Sequence, residues 1–137
     1  MNIDNLERQH LEINSLFSKI NKNLNSNNIT NDIDSLVWDI NTLAGKLNIH
    51  MKTEDKFLYP ELINGANENL KKIALEYSQE MGNIHKVFEE FKSNFNTKNK
   101  ILNDIDKFLI ESNKVLKLLK NRIDKEDRSL YPKMKLI

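Results

Sequence analysis

HMKTEDKFLYP, residues 50–60, returns near the end of the chain as RIDKEDRSLYP, residues 122–132. Both copies hold Glu-Asp, a basic residue, one variable position and Leu-Tyr-Pro. Both also carry a long polar side chain four residues before the Glu: His50 before Glu54, and Arg122 before Glu126. Four residues is about one helical turn, so each pair projects from one face of a helix. The apolar residues leading into each copy share that spacing. Ile33, Leu36, Ile40, Leu43 and Leu47 run up to His50, Glu54 and Phe57. Ile101, Ile105, Phe108, Ser112, Val115 and Leu119 run up to Arg122 and Glu126. Steps of three and four mark one stripe of an amphipathic α-helix.

Two further segments obey the same rule. Ile3, Leu6, His10, Ile13, Phe17, Ile20 and Leu24 form the first. Ala74, Tyr77, Met81, Ile84 with His85 beside it, Phe88, Phe91 and Phe95 form the third. Polar connections separate the segments: NSNNITN at 25–31, NGAN at 64–67 and NTKNK at 96–100. Thr30 or Asn31 is placed to cap the second helix. Four amphipathic helices joined by short loops predict an all-α, up-down-up-down four-helix bundle, one domain over residues 1–137.

The bulk numbers agree. A chain of 137 residues suits one domain with a real core. Its three glycines and two prolines favour long helices over sheets and turns. Charged residues are 30% of the chain and nearly cancel, at +1, which argues against a nucleic-acid partner. With no cysteine there is no disulfide, thiolate metal site or Cys nucleophile. No apolar run is long enough for a membrane span or a signal peptide, so the expectation is a soluble cytoplasmic protein with no membrane partner. The load of Asn, Lys and Ile points to an AT-rich bacterial genome.

The chemistry lies in the exceptions to the apolar pattern. His10, His50, Glu54, Arg122 and Glu126 stand where the stripes ask for Leu or Ile, and His85 lies at the edge of the third stripe. Charged groups are buried only when paired or bound to a metal. All three histidines of the chain fall on different helices, with two Glu at matching depth. This set, without thiolate, suits Fe, Mn or Zn. Two Glu reaching in from two helices match the logic of carboxylate di-iron bundles. His-Glu-x-x-His is absent, which disfavours hydrolytic zinc. Met81 is expected to pack, as is Trp38, with a partner surface as its alternative. Tyr59 and Tyr131, five residues after the two Glu, either cover the end of the site or, by preference, pack at the helix ends. Lys114, Lys117, Lys120 and Lys125 form a solvated face. There is no Gly-rich phosphate loop and no plausible Ser-His-Asp arrangement.

In this order the residues resemble the hemerythrin-like, or HHE cation-binding, domains. LERQHLEI supplies His10, HMKTE supplies His50 and Glu54, GNIHKVFEEF supplies His85, and RIDKE supplies Glu126. The resemblance implies a non-haem di-iron site. One iron would be held by His10 and His50, and the other by His85 and a fourth-helix His, with Glu54 and Glu126 bridging. It further implies a domain that binds or senses oxygen or nitric oxide.

The chain departs from the pattern at Arg122, which stands where the last His belongs. A guanidinium stays protonated and offers no lone pair. Three outcomes stay open. Arg122 replaces the second cation by pairing with Glu126 or Glu54, leaving one metal at His10, His50 and a Glu, with or without His85. Alternatively, Glu89 or Asp127 completes a second site. In the third, no metal binds, and the domain is a metal-indifferent module that regulates a signalling or transcription protein partner. An enzymatic reading, reduction of peroxide or nitric oxide, lacks a dedicated proton donor in the sequence.

Overall fold

The structure is a computed structural model that describes residues 2–26 and 29–137. The described residues are helical, with no strand among them. The long helices are α1 (Asp4–Leu24), α2 (Ile33–Thr53), α4 (Glu68–Phe95) and α6 (Ile105–Lys125). Shorter segments are α3 (Tyr59–Ile63), α5 (Lys98–Asn103) and α7 (Tyr131–Met134). No helix among the described residues is long and apolar enough to cross a membrane.

Local chemistry sets the ends of these helices. Asn67, Thr97 and Asp104 accept backbone N–H bonds at the starts of α4, α5 and α6, which satisfies donors that a helix start leaves free. Asp104 also divides the fourth predicted segment, so Ile101 lies on α5 and the rest on α6. The cap expected at Thr30 or Asn31 does not form. The N-cap position of α2 is Asp32, which makes no side-chain cap bond. Its carboxylate instead accepts from Ser26 Oγ at 3.2 Å. Within the predicted 25–31 connection, Asn27 and Asn28 lie outside the described residues.

The repeated segment has a shape that apolar spacing did not reveal. Glu54–Leu58 and Glu126–Leu130 are π-helical turns, inserted between α2 and α3 and between α6 and α7. Proline explains both. In a regular α-helix the ring of Pro60 or Pro132 would clash with the carbonyl four residues back and could not donate to it. The wider turn lets the N–H of Tyr59 bond to the carbonyl of Glu54, and that of Tyr131 to Glu126. One extra residue per turn rotates the rest of the helix by about 100°. The predicted stripe position Phe57 is therefore 63% exposed, while Leu58 and Tyr59 are buried.

Packing pairs α1 with α2, α2 with α4, α4 with α6 and α6 with α1. Two apolar clusters result. The larger includes Ile13, Phe17, Leu36, Leu43, Phe91, Phe108 and Leu119. The smaller includes Ile3, Leu6, Leu58, Leu62, Ala74, Leu130 and Met134. Fully burying such a side chain contributes about 1.5–3 kcal/mol before the entropy of ordering it is subtracted. Going up the chain, α1 and α4 run from the smaller cluster to the larger. The stretches from α2 to α3 and from α6 to α7 run the other way. Between the clusters every long helix contributes to one buried layer: His10, His50 with Glu54, Met81, and Arg122 with Glu126.

Candidate metal centre

The layer lies between the two apolar clusters, away from the surface. His50, Glu54 and Glu126 are fully buried, and His10 is 2% exposed. His10 comes from α1 and His50 from α2, while the two Glu open the π turns. The two ring nitrogens His10 Nε2 and His50 Nε2 lie 3.0 Å apart. Glu126 Oε1 lies 3.1 Å from the first and 3.5 Å from the second. Glu54 Oε1 lies 3.2 Å from His50 Nε2, yet no hydrogen bond reaches that buried oxygen.

The far sides of both rings are occupied. His10 Nδ1 donates to Asp127 Oδ1 at 2.7 Å, and His50 Nδ1 donates to Gln9 Oε1 at 2.8 Å. Fixing a proton on each Nδ1 turns a bare Nε2 inward, as the outer partners of metal-binding histidines do. Two nitrogen lone pairs and carboxylate oxygens then converge on one point, where positive charge is required. In the metal-free chain a proton meets that need. Burial opposes a charge on His50, but the carboxylates of Glu126 and Glu54 outweigh it and hold the ring up to about 10. Burial, then the charge of Glu126, raises Glu54 to about 8. Burial would raise Glu126 too, but contacts with His10, His50 and Glu54 prevail and hold it far below the usual carboxylate range.

The donor set fits a metal ion. Bonds of about 2.1 Å to one ion put neighbouring ligand atoms about 3.0 Å apart at right angles and about 3.4 Å apart in a tetrahedron. The observed spacings, 3.0 to 3.5 Å, match that range, the longest exceeding it by about 0.1 Å. His10, His50 and Glu126 each present a ligand atom, all within 4.8 Å of one another.

Two tyrosines join the layer. Tyr59 Oη donates to Glu126 Oε2 at 3.4 Å, and Tyr131 Oη donates to Glu54 Oε2 at 3.2 Å. Each hydroxyl thus reaches the glutamate of the other repeat. Tyr131 Oη also lies 3.1 Å from His10 Nε2, and its ring stacks on that imidazole at 4.8 Å. Burial, then the nearby carboxylate charges, pushes both phenols well above their usual range. Both rings do pack among apolar neighbours, as expected. Their hydroxyls are part of the polar layer and place two proton-bearing groups there, so the tyrosines both pack and cover the site.

His85 is not brought to this group. It is 34% exposed on α4, pairs with Glu89 at 3.5 Å, and lines a surface cleft with Asn41 and Asn48 of α2. It comes four residues after Met81 but faces away, because the buried stripe of α4 runs through Tyr77, Met81 and Phe88. Glu89 stays with it at the surface, and Asp127 serves the back of His10.

Arg122 is buried, but its short bonds run away from the two carboxylates it was expected to pair with. Nη1 donates to Glu80 Oε2 at 2.6 Å and Nη2 to the carbonyl oxygen of Tyr77 at 2.6 Å. The guanidinium lies 4.2 Å over the Tyr77 ring, and Nε stays 3.9 Å from Glu126 Oε2. Burial works against its charge, and Glu126, Tyr59 and Glu80 more than restore it. Arg122 therefore supplies a fixed positive charge on the α4 side of the layer. Of the groups that the sequence reading did not single out, Gln9 had a signal in its place immediately before His10. Glu80 had no such signal. Trp38, expected to pack, is 74% exposed beside a groove between α1 and α2.

Comparison with known proteins gives one match. The family model for hemerythrin, the hemerythrin HHE cation binding domain, matches residues 1–134. No curated protein and no solved structure matches.

Proposed function

The chain belongs to the hemerythrin HHE cation-binding family, and we propose that it is a non-haem iron domain holding one ion and binding or sensing oxygen or nitric oxide. The ligands in this reading are His10, His50 and Glu126, with Glu54 as a second carboxylate. The observation that carries it is the inward-facing pair of Nε2 atoms at 3.0 Å, each ring tied down at Nδ1, with Glu126 Oε1 beside them. Two histidines and a carboxylate on one side of an ion suit ferrous iron and leave other positions open. Bound ferrous iron with an open position supplies the affinity for small diatomic gases that such a sensor uses.

Arg122 carries the argument for one ion. It sits beside Glu126 with its charge fixed, and its place on α6 is that of the fourth-helix His in the family pattern. On α4 the residues facing the layer are Tyr77 and Met81, and His85 lies outside. The second ion thus loses both of its expected histidines. The alternating order of the two apolar clusters along successive long helices supports an up-down-up-down bundle, one domain over residues 1–137. The reading keeps the sequence-based expectation of a cytoplasmic protein.

The test is iron per chain after anaerobic ferrous loading and desalting, then titration with nitric oxide and oxygen. About one iron and a gas-dependent absorption change are expected, with both lost in His10→Ala and His50→Ala. Retention of no iron, or iron whose spectrum ignores both gases, would overturn the reading.

A further inference from the structure

The two repeats are not equivalent at their tyrosines, and the difference points to a ligand. Tyr59 Oη touches one carboxylate oxygen, at 3.4 Å. Tyr131 Oη lies 3.1 Å from His10 Nε2 and 3.2 Å from Glu54 Oε2. The contact with His10 Nε2 has the spacing found among the inward donor atoms themselves, 3.0 Å between the two Nε2 and 3.1 Å from His10 Nε2 to Glu126 Oε1, whereas Tyr59 reaches Glu126 Oε2 and not the Oε1 that faces the imidazoles. We infer that Tyr131 is itself a ligand of the bound ion through its phenolate oxygen, while Tyr59 only hydrogen-bonds to Glu126.

The origin of the asymmetry is position 122. Tyr59 shares Glu126 Oε2 with a resident cation, since Arg122 Nε lies 3.9 Å from that oxygen. Tyr131 instead reaches Glu54, and its ring stacks against the His10 imidazole at 4.8 Å and 23°. This stacking fixes the phenol ring where its oxygen meets His10 Nε2. The π turn is what delivers it. Counting from Glu126, Tyr131 is five residues on, a step that a π turn brings back to the same face.

Charge balance chooses the oxidation state. A ferric ion carries three positive charges, and Glu54, Glu126 and a Tyr131 phenolate supply three negative ones, while Arg122 is answered by Glu80 at 2.6 Å. When the oxygen–iron bond forms, the phenol O–H bond breaks and its proton goes to solvent, with no change in electron count. The ligand set becomes His10, His50, Glu126 and Tyr131, with Glu54 beside it.

The inference rests on the one-ion reading, and its test separates the two. Metal-free chain is loaded from ferric nitrilotriacetate and desalted. Iron per chain, visible absorption and resonance Raman spectra are then recorded for wild type, Tyr59→Phe and Tyr131→Phe. Wild type and Tyr59→Phe are expected to show a phenolate-to-iron charge-transfer band in the visible and phenolate ring modes. Tyr131→Phe is expected to lose both. Ring-deuterated tyrosine in the unmutated chain shows that the band comes from a tyrosinate, because the ring modes then shift, and the two Phe variants say which tyrosine it is. Iron-loaded wild type without phenolate modes overturns this inference and leaves the one-ion reading standing. So does a band that survives Tyr131→Phe. A chain that takes up no iron overturns both.

Discussion

Removing the carboxylate behind His10 tests the centre without touching a ligand. Asp127→Ala deletes the acceptor that holds the ring, a contact of 2.7 Å from Nδ1 to Oδ1. A hydrogen bond to a charged group contributes about 1.5–3 kcal/mol. Asp127 is 39% exposed, and solvent screening reduces that gain to about 1–2 kcal/mol. At about 1.4 kcal/mol per tenfold, the loss in metal affinity is roughly 5- to 30-fold. Outer partners of metal-bound histidines generally contribute about 10- to 100-fold to affinity. The two routes overlap at roughly 10- to 30-fold. The assay is competition for ferrous ion with a chelator of known affinity, with circular dichroism to confirm that both proteins fold. A Kd within about twofold of wild type, in a folded variant, would refute the claim that Asp127 aims His10 Nε2 at an ion.

The same geometry sets three other outcomes. His85→Ala should leave iron per chain and its affinity unchanged, since His85 pairs with Glu89 at the surface; loss of iron in a folded variant would return His85 to the ligand set. Arg122→His should not gain a second iron, because Tyr77 and Met81 still face that side of the layer; two irons per chain, measured after anaerobic loading, would show that the guanidinium alone excludes it. The pH dependence should differ in sign between metal-free and loaded protein. His50 is raised to about 10 and Glu54 to about 8, so each favours the fold at low pH and that contribution fades as pH rises through the folded value. Glu126 is lowered, so its contribution is lost in acid. Metal-free chain should therefore lose urea resistance from about pH 6.5 towards 10, while apparent metal affinity rises over that range as the ion displaces those protons. Urea midpoints in chelator and Kd values at two pH values would show a common sign if this account is wrong.

The helical class, the four long stripes and the identity of five buried polar residues were all legible in the sequence. Periodicity reports which side chains must leave water, and His10, His50, Glu54, Arg122 and Glu126 stood where only buried residues stand. The structure departs from the stripe at Phe57 and sets His85 34% exposed, for two different reasons. A stripe edge gives the face only to within a fraction of a turn. For His85 that fraction separates the bundle interior from a surface cleft. At Phe57 the proline-driven π turn changed the period itself, and a pattern read at 3.6 residues per turn could not track it.

Each helix carries its own pattern, and those patterns alone required several polar groups to be buried at one depth. How the groups meet is a matter of packing between helices. The direction of Arg122 towards Glu80 and Tyr77, the reach of each tyrosine to the other repeat's glutamate, and the hold of Asp127 and Gln9 on the two rings are contacts between residues 40 or more apart in the chain. Such contacts depend on how neighbouring helices rotate and slide as their apolar stripes pack. No spacing within a single helix encodes that choice.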